Sequence, residues 1–358
     1  MKTLLLLLSL TFFVQANAAS LTHWNLTVVD QHILPAYQKF KASTETLHQN
    51  SLSFCQEQNQ TQFEQIKTDF KISMADWQSI QHIRFGPIEN ALRMHRIQMW
   101  PDKRGKVAKH LRKLLAAKKI AVLKEDTFMH GSTAVQGFSA LEMLLFNNSA
   151  TEEFFTANKS NYRCQLLIAI TSNLSNISKG LVYDWSEAKE PFRVYIQTAD
   201  QGNAYYESEK EVSSTILNNL VTQLILIVDH KLDRPIGKSL NKAYGKRAES
   251  WRSRQSLKNI QHNLKALQVL YQMGFEHQLK NKELKNKELQ EKVHNGFEVI
   301  NKTIATIQLP IFEAVKNPGQ RKLLIQLRQQ TAQLKQLFSV ELPKALDIPL
   351  GFNSLDGD

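Results

Sequence analysis

Inside the apolar stretch Gly137-Phe138-Ser139-Ala140-Leu141-Glu142-Met143-Leu144-Leu145-Phe146, a hydroxyl and a carboxylate stand three residues apart. On a helix that spacing puts both on one face. A carboxylate in such surroundings must be hydrogen-bonded, paired with a cation or bound to a metal, because an unpaired buried charge is expensive. Arg84 and Arg93, in the preceding helical region, could offer Glu142 a bidentate guanidinium. A metal would need more ligands than Glu142, and His130 or Asp102 would serve only if folding brings them near. An open, solvated cleft is the third possibility. Ser139 is a poor metal ligand and no substitute for an imidazole base; its plain reading is a small residue at a helix contact.

The other patterns exclude more than they propose. None of the 11 histidines begins a His-Glu-x-x-His motif, and no two lie four apart, the spacing that sets two imidazoles on one helical face for zinc. Gly137-Phe138-Ser139 lacks the second glycine of a nucleophile elbow, where Leu141 stands, and no strand precedes it. There is no phosphate-binding loop or dinucleotide fingerprint. The segment Lys246-Arg247-Ala248-Glu249-Ser250-Trp251-Arg252-Ser253-Arg254-Gln255-Ser256 combines cations, hydroxyls and an indole, a set suited to an anionic group. Its plain reading is a solvated helix with Trp251 packed inward. Arg252 and Ser253 are its candidate ligand contacts.

The elements that must position these residues read as helices. The 9 prolines fall in few places, with none between Pro101 and Pro191 or between Pro235 and Pro310. Across those stretches apolar residues recur at three- and four-residue spacing, as in Leu264, Leu267, Leu270 and Met273. Arg193-Val194-Tyr195-Ile196-Gln197 is the one short piece with strand-like alternation. Gly86-Pro87 should end or kink a helix, and Trp100-Pro101-Asp102 reads as a helix stop with Asp102 capping the next helix. The repeat Asn281-Lys282-Glu283-Leu284-Lys285, Asn286-Lys287-Glu288-Leu289 has a period of five and reads as a polar, solvated helix or its end.

Lys2, the apolar run Leu4–Val14 and Ala16-Asn17-Ala18 have the form of a signal peptide over residues 1–18, which implies export to the periplasm. No later run reads as long enough to span a membrane, the most apolar being Leu220–Val228. In an oxidising compartment Cys55 and Cys164 are expected to form one disulfide, the alternative being two buried thiols. A formal charge of +12 favours anionic partners such as phosphate groups or envelope polysaccharide. Nucleic acid is not expected for an exported chain without a recognisable module for it.

Gly137–Glu142 also resembles the Gly-x-His-x-x-Glu signature of the imelysin family, the M75 peptidases, with serine in place of the histidine. Arg84-Phe85-Gly86-Pro87, Trp100-Pro101-Asp102, Tyr162-Arg163-Cys164 and Leu350-Gly351-Phe352-Asn353-Ser354-Leu355-Asp356-Gly357-Asp358 resemble the imelysin-like exported branch in the same order. The resemblance implies an all-α fold of two helical bundles packed around a cleft, with the signature on an N-terminal helix facing it. The bundles would occupy residues 19–195 and 205–358. It also implies a link to iron uptake, with iron or another divalent metal as the candidate cofactor. In related proteins the signature His and Glu are thought to bind metal; here only Glu142 survives of that pair.

The combined expectation is a binding or accessory protein of envelope iron handling that does not cleave peptides. The alternatives are a metallopeptidase, or a binder of an anionic polymer or partner protein. The candidate site is Gly137, Ser139, Glu142, Arg84, Asp102, Arg252 and Ser253, with components of an envelope iron-uptake system as partners.

Overall fold

The computed structural model describes residues 20–155, 162–279 and 284–351. The signal-peptide reading, the start of the 281–289 repeat and most of the closing segment lie outside them. Among the described residues the protein is helical and contains no strand. The alternating piece at 193–197 belongs to helix Phe192–Gln197. Phe192 and Ile196, one turn apart, are both buried there, and Arg193 donates to Gln197 Oε1 at 3.0 Å. A helical repeat thus satisfies both the apolar and the polar residues of that segment.

The first half is built from α1 (Leu21–Val28), α2 (Leu34–Glu57), α3 (Gln60–Ile80), α4 (Arg93–Ile97), α5 (Lys106–Ala117), α6 (Phe138–Phe146) and α7 (Tyr162–Val182). Side-chain caps start several helices: Ser20 accepts from His23 N–H and Asn59 from Gln62 N–H. Helix α2 packs along α3 on one side and α7 on the other. The Cys55–Cys164 disulfide, spanning 109 residues, ties the end of α2 to the start of α7. A file of buried rings fills the space between, with centroids of Phe54 and Phe63 5.4 Å apart and of Phe70 and Phe138 5.7 Å apart. Each such ring contributes about 1.5–3 kcal/mol by burial.

The second half contains α8 (Glu209–Ile225), which continues through a π-helical stretch Leu226–Asp233, then α9 (Ser256–Tyr271), α10 (Leu284–Thr306) and α11 (Pro318–Gln336). The continuous helical run Glu209–Ile236 is long and apolar enough to cross a membrane, which corrects the expectation that no such run exists. The apolar run Leu220–Val228 is only part of this helix, which continues past Asp229. Its most apolar window is 67% buried inside the protein, as expected of a core helix.

The halves are tightly joined. Helix α1 packs on α8, where Thr22 N–H and Oγ1 both donate to Glu209 Oε2 at 2.8 Å. Helix α3 packs on α9. Between α8 and α9 the chain makes no long helix at 246–256. It forms a short 3-10 turn at Gly245–Arg247 and then tight turns in which Ser250 and Arg254 adopt positive φ. The expected solvated helix is absent because these turns fold back onto α6.

Candidate functional site

Helix α6 is set in place from its first residue. Gly137 lies against the backbone of α4, and a Cβ there would run into the carbonyl oxygens of Arg96 and Ile97. Phe138 is fully buried between Phe40 and Phe70. One turn later, Glu142 points at the 250–254 turn. Its Oε1 accepts the Ser253 backbone N–H at 2.9 Å and the Ser253 hydroxyl at 2.7 Å. The carboxylate is buried, with 6% of the residue exposed. Burial pushes its pKa up, and Glu249 adds to that push; the two Ser253 bonds and the Arg252 charge pull it back down.

Ser139, on the same helical face, donates its hydroxyl to the Met99 carbonyl at 2.9 Å. This satisfies the hydroxyl and fixes α6 to the 98–102 turn. Asp102 caps as expected: its two oxygens accept the N–H groups of Lys106 and Val107, each at 2.9 Å. Neither arginine proposed for Glu142 pairs with it. Arg93 is bound to Asp184 Oδ2 at 2.6 Å and to the Pro87 carbonyl at 2.9 Å. Arg84 faces a different cavity, across the 98–102 turn. His130 is exposed and outside the cleft.

The groups facing Glu142 do not fit a transition-metal site. They are an amide N–H, a hydroxyl donor and a guanidinium, which stabilise a carboxylate rather than share a metal with it. Among the described residues no group of three or more His, Cys, Asp or Glu side chains is placed to hold a metal ion.

Glu142 and Ser139 line a cavity of about 360 Å³. Its other wall carries Arg234, Lys246, Arg247 and Arg252. Lys246 Nζ lies 5.3 Å from the Trp251 ring centroid and the Arg252 guanidinium 4.4 Å, so one indole is flanked by two cations. Among the described residues the carboxylates lining this cavity are Asp102, spent on the α5 cap, and Glu142, held by Ser253. The cleft surface is therefore cationic and partly aromatic, suited to an anionic ligand.

Behind the cleft lies a buried polar network that sequence reasoning missed. Lys231 and Glu249 form an ion pair at 2.9 Å, each side chain 1% exposed. Lys231 Nζ also donates to Gln78 Oε1 at 2.6 Å and Asn263 Oδ1 at 2.7 Å, and Gln81 Oε1 is 3.0 Å away. Glu249 accepts from Gln98 Nε2 and Asn259 Nδ2, both at 3.1 Å. These residues come from both halves of the chain, and Glu249 opens the turn that presents Ser253. A second missed pair is His32–His82, with Nε2 atoms 2.9 Å apart and both rings buried. His32 and Lys231 each sit on a π-helical turn, where one extra residue re-aims the side chains. The available signal was local: Gln78 interrupts the inward face of α3, Gln81 caps its end, and a lysine follows a long apolar run.

The family model described as imelysin matches residues 33–338. A crystal structure of an imelysin-like protein from Psychrobacter arcticum has a TM-score of 0.73 at 18% identity, covering 94% of this chain and 99% of that one. A putative iron-regulated protein A precursor from Parabacteroides distasonis has a TM-score of 0.74 at 14% identity, covering 92% and 97%. No curated protein sequence matches the chain.

Proposed function

Because the chain belongs to the imelysin family, we propose that it is an exported, periplasmic binding or accessory protein of envelope iron handling, and that it does not cleave peptides. The observation that carries this reading is the engagement of Glu142 by both donors of Ser253, opposite a wall of arginine and lysine. A hydrolase would need a water activated at this carboxylate by a metal or a base. The groups beside Glu142 are hydrogen-bond donors and a cation, and Ser139 supplies neither ligand nor base.

The cationic, indole-bearing cleft favours an anionic cargo, and an iron chelate rich in carboxylates has that chemistry. The likeness to a putative iron-regulated protein of Parabacteroides distasonis supports the link to iron. The signal-peptide form of the sequence at residues 1–18 supports export, and a component of an iron-uptake system is the partner class this role calls for.

The test incubates purified protein with denatured protein substrates, with and without added iron or zinc, beside the Glu142→Ala variant. No cleavage dependent on Glu142 is expected. Cleavage abolished by Glu142→Ala, or a stoichiometric metal lost in that variant, would overturn the proposal.

A further inference from the structure

Across the 98–102 turn from Glu142 lies a second cavity, of about 430 Å³. Arg84 lines it, together with Met99, Trp100, Arg104 and Lys106. The Arg84 backbone N–H donates to Asn219 Oδ1 at 2.8 Å, which fixes the residue between the end of α3 and α8. Its guanidinium, by contrast, makes no hydrogen bond or ion pair among the described residues. Burial alone pushes its pKa down, with no carboxylate near enough to oppose the push. Burial lowers the pKa of two other basic groups, His95 and Lys231, and the Arg84 charge adds to that lowering in each. Asp102, the carboxylate lining this cavity, is spent on the N–H groups of Lys106 and Val107. The network that neutralises Lys231 ends at Glu249 and leaves Arg84 outside it.

A part-buried guanidinium with five donors and no acceptor is costly, and a fork of that shape matches a carboxylate or phosphate in two parallel bonds. We propose that this cavity is a binding site for a small molecule with a carboxylate or phosphate head, held by the Arg84 guanidinium. Arg104 and Lys106 supply positive charge at the rim, and Trp100 and Met99 face the carbon skeleton. The site is separate from the Glu142 cleft and does not depend on the reading given to that cleft.

The test is calorimetric titration of the full chain with inorganic phosphate and with citrate, at ionic strength held constant with sodium chloride. Both anions are expected to bind. Arg84→Met should weaken binding by about tenfold or more, since it removes a charge-assisted bidentate contact. Removing rim charge with Arg104→Ala should weaken it by roughly two- to fivefold. Without added anion Arg84→Met should be at least as stable as the unaltered protein, because it removes an unpaired charge. Equal binding by Arg84→Met, or its marked destabilisation in anion-free buffer, would overturn the proposal. If Arg84→Met does not fold, Arg84→Lys keeps the charge without the planar fork and should weaken phosphate by about threefold or more; unchanged binding there would overturn it equally. A preference for citrate would identify a carboxylate ligand, and a preference for phosphate a phosphorylated one, each at Arg84. Loss of binding in a Lys246→Glu, Arg247→Glu variant but not in Arg84→Met would assign the anion to the other cleft and refute the assignment.

Discussion

Replacing Lys231 by methionine removes the cation from a cluster in which both charges are 1% exposed. Glu249 would keep the Gln98 and Asn259 amides as donors but lose the ammonium it pairs with. Breaking a buried pair from one side costs about 3–5 kcal/mol, because the remaining charge has no counter-ion. Glu249→Gln should cost less, about 2–3 kcal/mol, since three side-chain amide oxygens still surround the ammonium. The double variant Lys231→Met, Glu249→Gln leaves no buried charge and should be more stable than the sum of the single losses by about 2–3 kcal/mol. Urea unfolding of all four proteins, monitored by helical circular dichroism, measures each term. The turn that begins at Glu249 also holds Ser253 against Glu142, so the single variants should loosen the cleft as well as lower stability. A cost below about 1 kcal/mol for Lys231→Met, or strict additivity in the double variant, would refute the claim that this pair ties the two halves together.

Three further outcomes follow from the same geometry. Burial pushes the His32 pKa from 6.5 to about 4 and that of His82 well below its usual value. As pH falls below about 6.5 the unfolded chain takes up the protons first, so this contribution to stability is complete above that pH. From His32 alone it should decline by about 3 kcal/mol by pH 4, and replacing both histidines by leucine should flatten that decline in acid-unfolding curves. Gly137→Ala should cost about 3 kcal/mol in thermal or urea unfolding, because the new methyl meets the Arg96 and Ile97 carbonyl oxygens. Replacing Cys55 and Cys164 by serine opens a link spanning 109 residues and should lower stability by about 2–4 kcal/mol, seen as a lower urea midpoint.

The helical class was legible because it rests on local information: apolar spacing along α9, few prolines, and a capping residue at Asp102. The Cys55–Cys164 link was legible from there being two cysteines and from the expectation of an oxidising compartment. The 246–256 segment was misread as a helix, since the positive φ at Ser250 and Arg254 has no glycine to announce it. Glu142 was rightly singled out as needing a partner, and Ser253 was among the candidate contacts, but the two were not connected. They stand 111 residues apart, and a serine supplying two donors has no sequence signature beyond its identity. Arginine was the natural expectation for a buried carboxylate, yet α6 turns Glu142 toward the 250–254 turn and away from Arg93. The Lys231 network was invisible for a similar reason: its members come from five separate segments, and each alone looks like a polar residue tolerated in a helix.

The most direct test of the account is a titration of the purified protein with an anionic ferric chelate such as ferric citrate, at low and at high salt. The account predicts saturable binding that weakens as salt rises. It also predicts a further loss of about tenfold in a Lys246→Glu, Arg247→Glu variant, whose two reversals place like charge against the ligand. Binding indifferent both to salt and to those reversals would contradict it, as would uptake of the bare metal ion that disappears in Glu142→Ala.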